Sequence, residues 1–377
     1  MMFSRYYQDR IDQWLKPGRV LVLYGPRRVG KTFLLTQYLD GYEGKAYFGT
    51  GEDKLLREIL ESQSVERIKT SFAGYDLVVV DEAQKVDGIG LGLKMLVDHM
   101  PEVAVIATGS SSFDLASRVG EPLTGRKLTR VLYPISVLEL KAQYGPMKPL
   151  EMLETLLVYG AYPETLVYSN VQEKMQYLAE LKDSYLCKDI LELDGIRNSR
   201  KLLDLLNLLA YQIGGEVSQN ELGTALSLSK PTVSRYLDML EKAFVIRNVR
   251  GFSGNLRKEV TKTSRYYFLD NGVRNAVINN FNPLSQRGDV GQLWENFLFM
   301  ERMKKRHYTG LMANDYFWRT YDRQEIDLVE EREGKLFAFE FKYSPGKAVK
   351  APRGWSRAYP EAEFTVIHRE NFLSFVS

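Results

Sequence analysis

One segment near the end of the chain alternates hydrophobic and polar residues with the two-residue period of a β-strand. Ile326 and Leu328 alternate with Glu325 and Asp327, and after a short polar stretch Phe337, Phe339 and Phe341 alternate with Ala338, Glu340 and Lys342. The pattern predicts a β-hairpin with one apolar and one charged face. A four-residue turn at 331–334 would pair Glu330 with Lys335 and set Asp327 opposite Ala338. Two carboxylates and a lysine then share the charged face.

Continuous apolar runs in the first third of the chain indicate a different kind of strand. "LVVV" at 77–80 and "VAVIA" at 103–107 lack alternation, and a third apolar run, "VLVLY", occupies 20–24. Runs of this length are typical of strands buried on both faces, as in parallel sheets. They are far too short to cross a bilayer.

The middle of the chain has helical periodicity. In residues 216–250 two apolar helical faces are predicted, marked by Leu222, Ala225 and Leu226 and by Val233, Leu237, Leu240 and Phe244. Between them, Ser229 is a candidate N-cap and Pro231 lies in the following first turn. The spacing predicts a helix-turn-helix with residues 231–242 as the recognition helix. The residues predicted to face outward toward nucleic acid are Lys230, Thr232, Arg235 and Tyr236.

The segment after the first apolar run has the spacing of a phosphate-binding loop. "GPRRVGKT" places Gly25 and Gly30 five residues apart, followed by Lys31 and Thr32, between a predicted strand and a predicted helix. Backbone N–H groups of such a loop surround phosphate oxygens, the lysine reaches the β- and γ-phosphates, and the threonine hydroxyl ligates Mg²⁺. The predicted ATP-binding residues are Gly25, Pro26, Arg27, Arg28, Val29, Gly30, Lys31, Thr32 and Phe33, with Asp81.

Two acidic residues follow the second apolar run. Asp81 and Glu82 come at its carboxyl end, where an open α/β sheet presents ligand-binding residues. Asp81 is predicted to hold Mg²⁺ through water, and Glu82 to polarise the attacking water as a base.

A set of motifs along the chain resembles those of a known protein family. The motifs "GPRRVGKT", "VVVDEAQKV", "TGSSS", "GRKLTRVLYPISVLEL", "YGAYPE", "YYFLDNGVRNAVI" and "EIDLVEEREGKLFAFEFKYS" resemble prokaryotic AAA-type ATPases with a C-terminal region of unknown function. The resemblance covers nearly the whole chain. It implies an α/β P-loop NTPase, then an all-α winged-helix module, then an α/β restriction-endonuclease-like module related to PD-(D/E)XK nucleases.

The resemblance also implies roles for further residues. A polar residue after the third apolar run would sense the γ-phosphate, with Ser110 preferred and Thr108 as the alternative. Arg126, or Arg118, would neutralise transition-state charge, in cis or from a neighbouring subunit. The implied domains are 1–165 (ATPase), 166–205 (helical lid or linker), 206–270 (winged helix-turn-helix) and 271–377 (nuclease-like).

The charged face of the hairpin has a chemical interpretation under this resemblance. Asp327, Glu340 and Lys342 resemble the PD-(D/E)XK arrangement, and the resemblance adds Glu295 on a preceding helix. Mg²⁺ or Mn²⁺ takes oxygen ligands, so Glu295, Asp327 and Glu340 are the predicted metal ligands. The metal would activate water for phosphodiester cleavage, with Lys342 orienting that water.

Composition and charge indicate the general class of protein but not its specific function. The 377 residues carry a net charge of +3 and one cysteine, Cys187, which fits a cytoplasmic protein without an internal disulfide. Residues 230–265 hold nine basic and three acidic side chains, which predicts a local basic patch. The sequence thus predicts a Mg²⁺-dependent ATPase acting on DNA through the winged helix and a metal-dependent nuclease-like module, with homo-oligomerisation possible in principle. The alternative is a nucleotide-dependent switch that recruits a protein partner without cleaving nucleic acid.

Overall fold

The structure is a computed structural model that describes residues 3–110, 123–184, 199–253, 264–346 and 349–377. The chain divides into two compact units. The first is Ser4–Pro134 with Lys242–Phe244, and the second is Ile135–Glu241 and Val245–Ser377 together with the chain start. Cys187 and Arg118, singled out in the sequence, lie outside the described residues.

The first unit contains a five-stranded parallel sheet with the order β2-β3-β4-β1-β5. Its strands are β1 (Val20–Tyr24), β2 (Ala46–Thr50), β3 (Leu77–Asp81), β4 (Ala104–Gly109) and β5 (Lys127–Val131). Its helices are α1 (Ile11–Trp14), α2 (Lys31–Asp40), α3 (Lys54–Glu61), α4 (Val65–Phe72) and α5 (Ile89–His99). The sequence prediction of an α/β fold with a parallel sheet is confirmed.

The continuous apolar runs form the centre of this sheet. Every residue of β1, β3 and β4 is buried, because helices cover both faces of a parallel sheet. Side-chain caps begin two of the flanking helices: Asp53 accepts from the Leu55 N–H and Ser64 from the Arg67 N–H. Because β1, β4 and β3 are parallel, their carboxyl ends lie on the same side of the sheet, where the phosphate-binding loop and the acidic pair are found.

The first unit ends earlier than the predicted boundary at 165. Residues after Pro134 belong to the second unit. There the Ile135 N–H donates to the Ala161 carbonyl at 2.8 Å and the Val137 N–H donates to the Glu301 carboxylate at 2.6 Å.

The second unit is built on a seven-stranded mixed sheet with the order β12-β11-β10-β9-β7-β8-β6. Its strands are β6 (Glu216–Val217), β7 (Ile246–Gly251), β8 (Ser264–Phe268), β9 (Asn314–Arg319), β10 (Glu325–Arg332), β11 (Lys335–Phe341) and β12 (Glu363–Ile367). Its helices are α6 (Val137–Tyr144), α7 (Met147–Glu151), α8 (Leu153–Tyr159), α9 (Pro163–Val167), α10 (Val171–Leu181), α11 (Ser199–Tyr211), α12 (Gln219–Leu226), α13 (Lys230–Lys242), α14 (Asn271–Val277), α15 (Val290–Thr309), α16 (Arg353–Ala358) and α17 (Phe372–Val376).

This sheet crosses the predicted boundary between residues 206–270 and 271–377. Strand β7 lies before the boundary and β9 after it, and the two pair in parallel, with Arg250 beside Tyr316 and Gly251 beside Phe317. The predicted separate domains therefore share one sheet. Pairing of strands from distant segments leaves no mark in local sequence patterns, which is why the prediction separated them.

The predicted hairpin forms, but with a different register. Arg332 pairs with Lys335, and the turn is Glu333 and Gly334, both with positive φ (52° and 73°). Two residues with positive φ match the right-handed twist of the strands better than the predicted four-residue turn does. The register moves by two residues, so each side chain keeps its face, and Ala338 lies opposite Val329 instead of Asp327.

The helix-turn-helix segment forms as α12 and α13. Ser229 accepts from the Thr232 N–H at 3.3 Å, as predicted for an N-cap. Leu222, Leu226, Val233, Leu237 and Leu240 are buried. Ala225, predicted to lie on the apolar face of α12, is exposed. The buried face of α12 therefore includes Leu222 and Leu226 but not Ala225.

Candidate functional site: phosphate loop and carboxylate cluster

The phosphate-binding loop, residues 25–33, connects β1 to α2. Gly25 (φ 151°) and Gly30 (φ 92°) both have positive φ. A Cβ on Gly25 would lie 2.1 Å from the Leu132 carbonyl oxygen, so only glycine fits there. Gly30 is the left-handed residue from which α2 begins. The glycine spacing read from the sequence thus corresponds to two backbone constraints.

The other predicted loop residues lie between the two glycines or, in the case of Phe33, in the first turn of α2. They are Pro26, Arg27, Arg28, with a positive φ of 62°, Val29, which is buried, and Phe33, which is 39% exposed. Phe33 is exposed at the surface of the first turn of α2.

Lys31 is buried, and its ammonium lies against its own loop. Nζ donates to the carbonyls of Gly25 at 2.8 Å and Pro26 at 2.9 Å. Burial lowers the pKa of Lys31 to about 8, against the opposing effect of Glu82 and Asp81. A buried lysine held by two carbonyls is a cation available to an anionic ligand at the same loop.

Thr32 and Asp81 are directly joined. The Thr32 hydroxyl donates to Asp81 Oδ2 at 2.7 Å. The other carboxylate oxygen of Asp81 accepts from the Thr108 hydroxyl and, at 3.1 Å, from the Glu82 N–H. Two oxygen groups of the kind that Mg²⁺ prefers are therefore side by side at the end of the phosphate loop. These residues fit the predicted Mg²⁺ of an ATP complex.

Glu82 and the polar end of β4 complete this edge of the sheet. Glu82 has a left-handed backbone (φ 48°), and its carboxylate accepts from the Gln84 amide. Its N–H also donates to the Thr108 hydroxyl at 3.2 Å. Ser110, the preferred sensor, is buried just after β4. Thr108, the alternative, contacts both acidic residues, through the Asp81 carboxylate and the Glu82 N–H.

Arg126 lies far from the phosphate loop. It precedes β5 and forms an ion pair with Asp98 on α5. Strand β5 runs parallel to β1, with Lys127 beside Val20 and Val131 beside Tyr24. Arg126 is therefore at the amino-terminal end of the strands, about five residues or ~16 Å from the carboxyl-terminal end where the phosphate loop begins. This placement contradicts a role for Arg126 in cis; a role from a neighbouring subunit stays a prediction.

Arg5 is a residue that the sequence reasoning missed. Its buried guanidinium donates to the Val29 carbonyl of the phosphate loop and, at 2.6 Å, to the Tyr133 carbonyl. It thereby fixes the loop backbone to the segment after β5. No sequence signal distinguished Arg5 from the other charged residues of the first fifteen, because its partners are carbonyl groups distant in the chain.

The helix-turn-helix residues divide into exposed and buried ones. Lys230 and Arg235 are exposed on α13, and Thr232 is half-buried with its hydroxyl 2.9 Å from that of Ser229. Tyr236, predicted to face outward, is buried, which corrects that assignment. It lies one residue before Leu237 on the packed side of the helix, where a tyrosine ring contributes core area.

The carboxylates predicted in the C-terminal region do come together. Glu295 is on α15, Asp327 on β10 and Glu340 on β11. Asp327 Oδ2 accepts from the Phe341 N–H at 2.7 Å, and Lys342 Nζ donates to Glu340 Oε1 at 2.6 Å. A β-bulge in β10 relative to β9, between Ile326 and Val329, sets the local direction of Asp327.

Two residues from β8 enter this cluster, and neither was assigned to it from the sequence. Arg265 lies 3.3 Å from Glu295, 3.8 Å from Asp327 and 3.2 Å from Glu325. The Tyr267 hydroxyl donates to Glu295 Oε1 at 2.7 Å. Arg265 was counted in the predicted basic patch, but it is buried among acids and adds nothing to a surface charge.

Two carboxyl groups of the cluster, those of Asp327 and Glu295, have raised pKa values. Burial raises the pKa of Asp327 well above its usual range, and Glu295 and Glu340 add to the effect. Burial also raises the pKa of Glu295, against the opposing effect of Arg265. The contact with Glu340 raises the pKa of Lys342, although burial acts in the opposite direction. Arg265 is therefore a principal counter-charge of the cluster.

The predicted divalent metal does not fit this arrangement. Within the described ranges, no group of three or more histidine, cysteine, aspartate or glutamate residues is arranged to hold a metal ion. The Arg265 guanidinium contacts Glu295 and Asp327, two of the three predicted ligands. The predicted Mg²⁺ or Mn²⁺ site formed by Glu295, Asp327 and Glu340 is thus already supplied with a cation by the chain itself.

None of the helices that the structure describes is long and apolar enough to span a bilayer.

Three family models match successive parts of the chain. Residues 17–141 match a model described as "AAA domain", residues 150–284 a domain of unknown function, DUF8612, and residues 290–375 another, DUF4143. The first match covers the phosphate loop, Asp81 and Glu82.

Relatives similar over most of the chain are uncharacterized. The protein MJ1544 of Methanocaldococcus jannaschii is 25% identical over 86% of this chain and 75% of its own length. The protein Rv2008c of Mycobacterium tuberculosis is 26% identical over 88% of this chain and 72% of its own length.

Solved structures similar to the chain include the RuvB Holliday junction branch migration motor of Thermotoga maritima, at 18% identity over 61% of this chain and 81% of that one, with a TM-score of 0.30. A STAND protein with a tetratricopeptide repeat sensor from Pyrococcus horikoshii is 14% identical over 81% of this chain and 46% of that one, with a TM-score of 0.27. Together, the AAA domain match and the geometry of the phosphate loop support a AAA-type P-loop ATPase in the first part of the chain.

Proposed function

We propose that the first unit binds ATP with Mg²⁺ and hydrolyses it. The observation that carries the proposal is the 2.7 Å hydrogen bond between the Thr32 hydroxyl and Asp81. It joins the end of the phosphate loop to the end of β3, so the hydroxyl and carboxylate oxygens converge beside Lys31. If Asp81 were only a solvated residue of a surface loop, this hydrogen bond to Thr32 would not be expected.

Each residue has a defined task in this proposal. Lys31 exchanges the carbonyls of Gly25 and Pro26 for phosphate oxygens, and a phosphate anion favours its charged form. Thr32, directly, and Asp81, through water, would hold Mg²⁺, which would supply positive charge to the phosphates. Glu82 orients and polarises the attacking water, and Ser110 or Thr108 contacts the γ-phosphate. Arg126 would act on the site of a neighbouring subunit.

The Thr32 hydroxyl provides a direct test. Replacing Thr32 with valine keeps the side-chain shape but removes the oxygen, so Mg²⁺-dependent phosphate release from ATP should fall. We expect a loss of at least roughly 10–100-fold at limiting Mg²⁺, the range for removal of a group that only supports a metal ligand. The measurement is steady-state phosphate release across a Mg²⁺ titration.

Thr36→Val is the matched control for this test. Thr36 lies one helical turn further along α2, is exposed, and donates only to the Thr32 carbonyl. It should hydrolyse ATP like the unmodified protein. Equal rates for Thr32→Val and Thr36→Val at every Mg²⁺ concentration would contradict the proposed site.

Contact with nucleic acid is a second proposed function, and the exposed basic residues of α13 favour it. Lys230 and Arg235 are exposed on the second helix of the helix-turn-helix, which is the helix that enters a groove in proteins of this kind. The order of α11, β6, α12, α13, β7 and β8 is consistent with the predicted winged helix. The predicted nuclease activity is left out of the proposal, because Arg265 occupies the carboxylate cluster.

Salt-dependent DNA binding tests this second function. Replacing Lys230 and Arg235 with alanine should weaken binding to duplex DNA of any sequence and reduce the slope of log K against log salt by about two. Fluorescence anisotropy at several salt concentrations measures both. Arg353 and Arg357, exposed on α16, provide a matched double-alanine control. Unaltered binding in the α13 variant would leave the alternative, a nucleotide switch that recruits a protein partner, as the better account.

A further inference from the structure

The carboxylate cluster of the second unit contains a cation supplied by the chain. Glu295, Glu325, Asp327 and Glu340 bring four carboxyl groups together, and Arg265 pairs with the first three of them. Lys342 pairs with Glu340. Arg265 comes from β8, a strand of the predicted winged-helix segment, and not from the predicted nuclease-like segment that supplies the acids.

The guanidinium of Arg265 is fixed in place by more than charge. Its side chain is 5% exposed, and its central carbon lies 4.7 Å from the centre of the Phe317 ring. Planar guanidinium groups stack on aromatic rings and form several directed hydrogen bonds, which an ammonium group cannot do equally well. This is the environment of a built-in partner, not of a surface arginine that happens to lie near acids.

Access to Glu295 is also restricted. A Cβ placed on Gly214 would lie 3.2 Å from the Glu295 carboxylate, so the backbone before β6 passes directly over it. Oε1 of Glu295 accepts from both Arg265 and Tyr267. A divalent ion such as Mg²⁺ needs oxygen ligands at about 2.0–2.1 Å, and this oxygen is already shared by two donors.

One acceptor in the cluster nevertheless lacks a partner. Glu340 is 8% exposed, and its Oε2 has no hydrogen-bond partner among the described residues. A buried carboxylate oxygen without a donor is costly. The cluster therefore retains unused capacity for a cation, although Arg265 holds the other ligands.

We propose that Arg265 is a built-in plug: its guanidinium occupies the cation position of the carboxylate cluster, and no divalent ion binds there while Arg265 is present. Removing the positive charge leaves Glu295, Asp327 and Glu340 facing one another, and a divalent cation relieves their repulsion.

Mn²⁺ binding without nucleotide tests the plug. Free Mn²⁺ is followed by electron paramagnetic resonance with the full chain and with Arg265→Met, which keeps the length of the side chain but not its charge. The unmodified chain should bind no stoichiometric Mn²⁺ at the cluster, whereas Arg265→Met should bind about one equivalent through carboxylate oxygens. Arg265→Met combined with Glu340→Gln should lose that equivalent, and Arg265→Lys should remain without it.

Two results would overturn the plug. One is Mn²⁺ binding by the unmodified chain that Glu340→Gln removes, a result that needs no arginine variant to fold. The other is a folded Arg265→Met or Arg265→Gln protein, checked by circular dichroism, that binds no Mn²⁺. Phosphate release from ATP, measured on the same preparations, reports separately on the first unit, so failure of the plug and failure of the proposed ATPase are distinguishable.

Discussion

Replacing Glu82 with glutamine is expected to lower the kcat of ATP hydrolysis by roughly 10²–10⁴-fold, the contribution typical of a positioned acid–base group. Glutamine keeps the size of the side chain and can still contact Gln84, but it cannot accept a proton from water. ATP binding should change little, because Lys31, Thr32 and Asp81 remain. The measurements are single-turnover hydrolysis and equilibrium binding of a fluorescent ATP analogue.

The backbone at Glu82 adds a reason to expect that the effect is chemical. Its left-handed conformation and its N–H bonds to Asp81 and Thr108 do not depend on the carboxylate, so the variant should fold normally. Glu52→Gln, at an exposed glutamate of the same unit, is the control and should hydrolyse ATP at the unmodified rate. A Glu82→Gln protein within about threefold of the control would exclude Glu82 as the base.

Replacing Glu330 with alanine is expected to destabilise the second unit by about 3–5 kcal/mol, the usual cost of breaking a buried ion pair. Glu330 is fully buried, and its two oxygens accept from Arg302 at 2.7 and 2.8 Å. Arg306 lies 3.1 Å away. Removing the carboxylate leaves two buried guanidinium groups with less counter-charge. Urea unfolding followed by tryptophan fluorescence measures the change.

An exposed ion pair in the same unit provides the comparison. Arg247 and Glu241 lie 3.3 Å apart, with side chains 48% and 31% exposed. Arg247→Ala should cost about 0–1 kcal/mol, because solvent screens the pair. Similar midpoints for Glu330→Ala and Arg247→Ala would show that the Glu330 carboxylate is not a significant source of stability.

The buried carboxyl group of Glu330 also makes the stability of the second unit depend on pH. Arginine contacts lower the pKa of Glu330 even though burial alone would raise it. A carboxyl group with a lowered pKa in the folded state stabilises that state above its unfolded pKa, and this contribution disappears as the pH falls through the folded pKa. The stability that Glu330 supplies is therefore present at neutral pH and lost in acid.

The phosphate loop was predictable from the sequence because its chemistry is local. Glycine spacing, a lysine and a threonine within eight residues define both the backbone and the ligands. The acidic pair was found from its position after a buried strand, since parallel strands end at one edge of a sheet. The distance of Arg126 from the phosphate loop could not be predicted, because the end of a strand at which a residue lies depends on strand direction, which a single arginine does not reveal.

The cluster in the second unit was only partly predictable. The alternation in the hairpin predicted that Asp327 and Glu340 share one face, and the error in the turn did not change that face. Arg265 was not found, because its partners are 30 to 62 residues away and its own segment is rich in basic residues. Local charge counts treat every arginine as solvated, whereas packing buried this one.

The shared seven-stranded sheet limits how this chain can be rearranged in evolution. A gene segment beginning after residue 270 would carry β9 without β7, leaving an unpaired strand edge of the kind that promotes aggregation. A replacement for the preceding segment would have to provide a parallel strand matching Tyr316 and Phe317, as Arg250 and Gly251 do. The two C-terminal modules are therefore expected to be inherited together, as a single recombination unit.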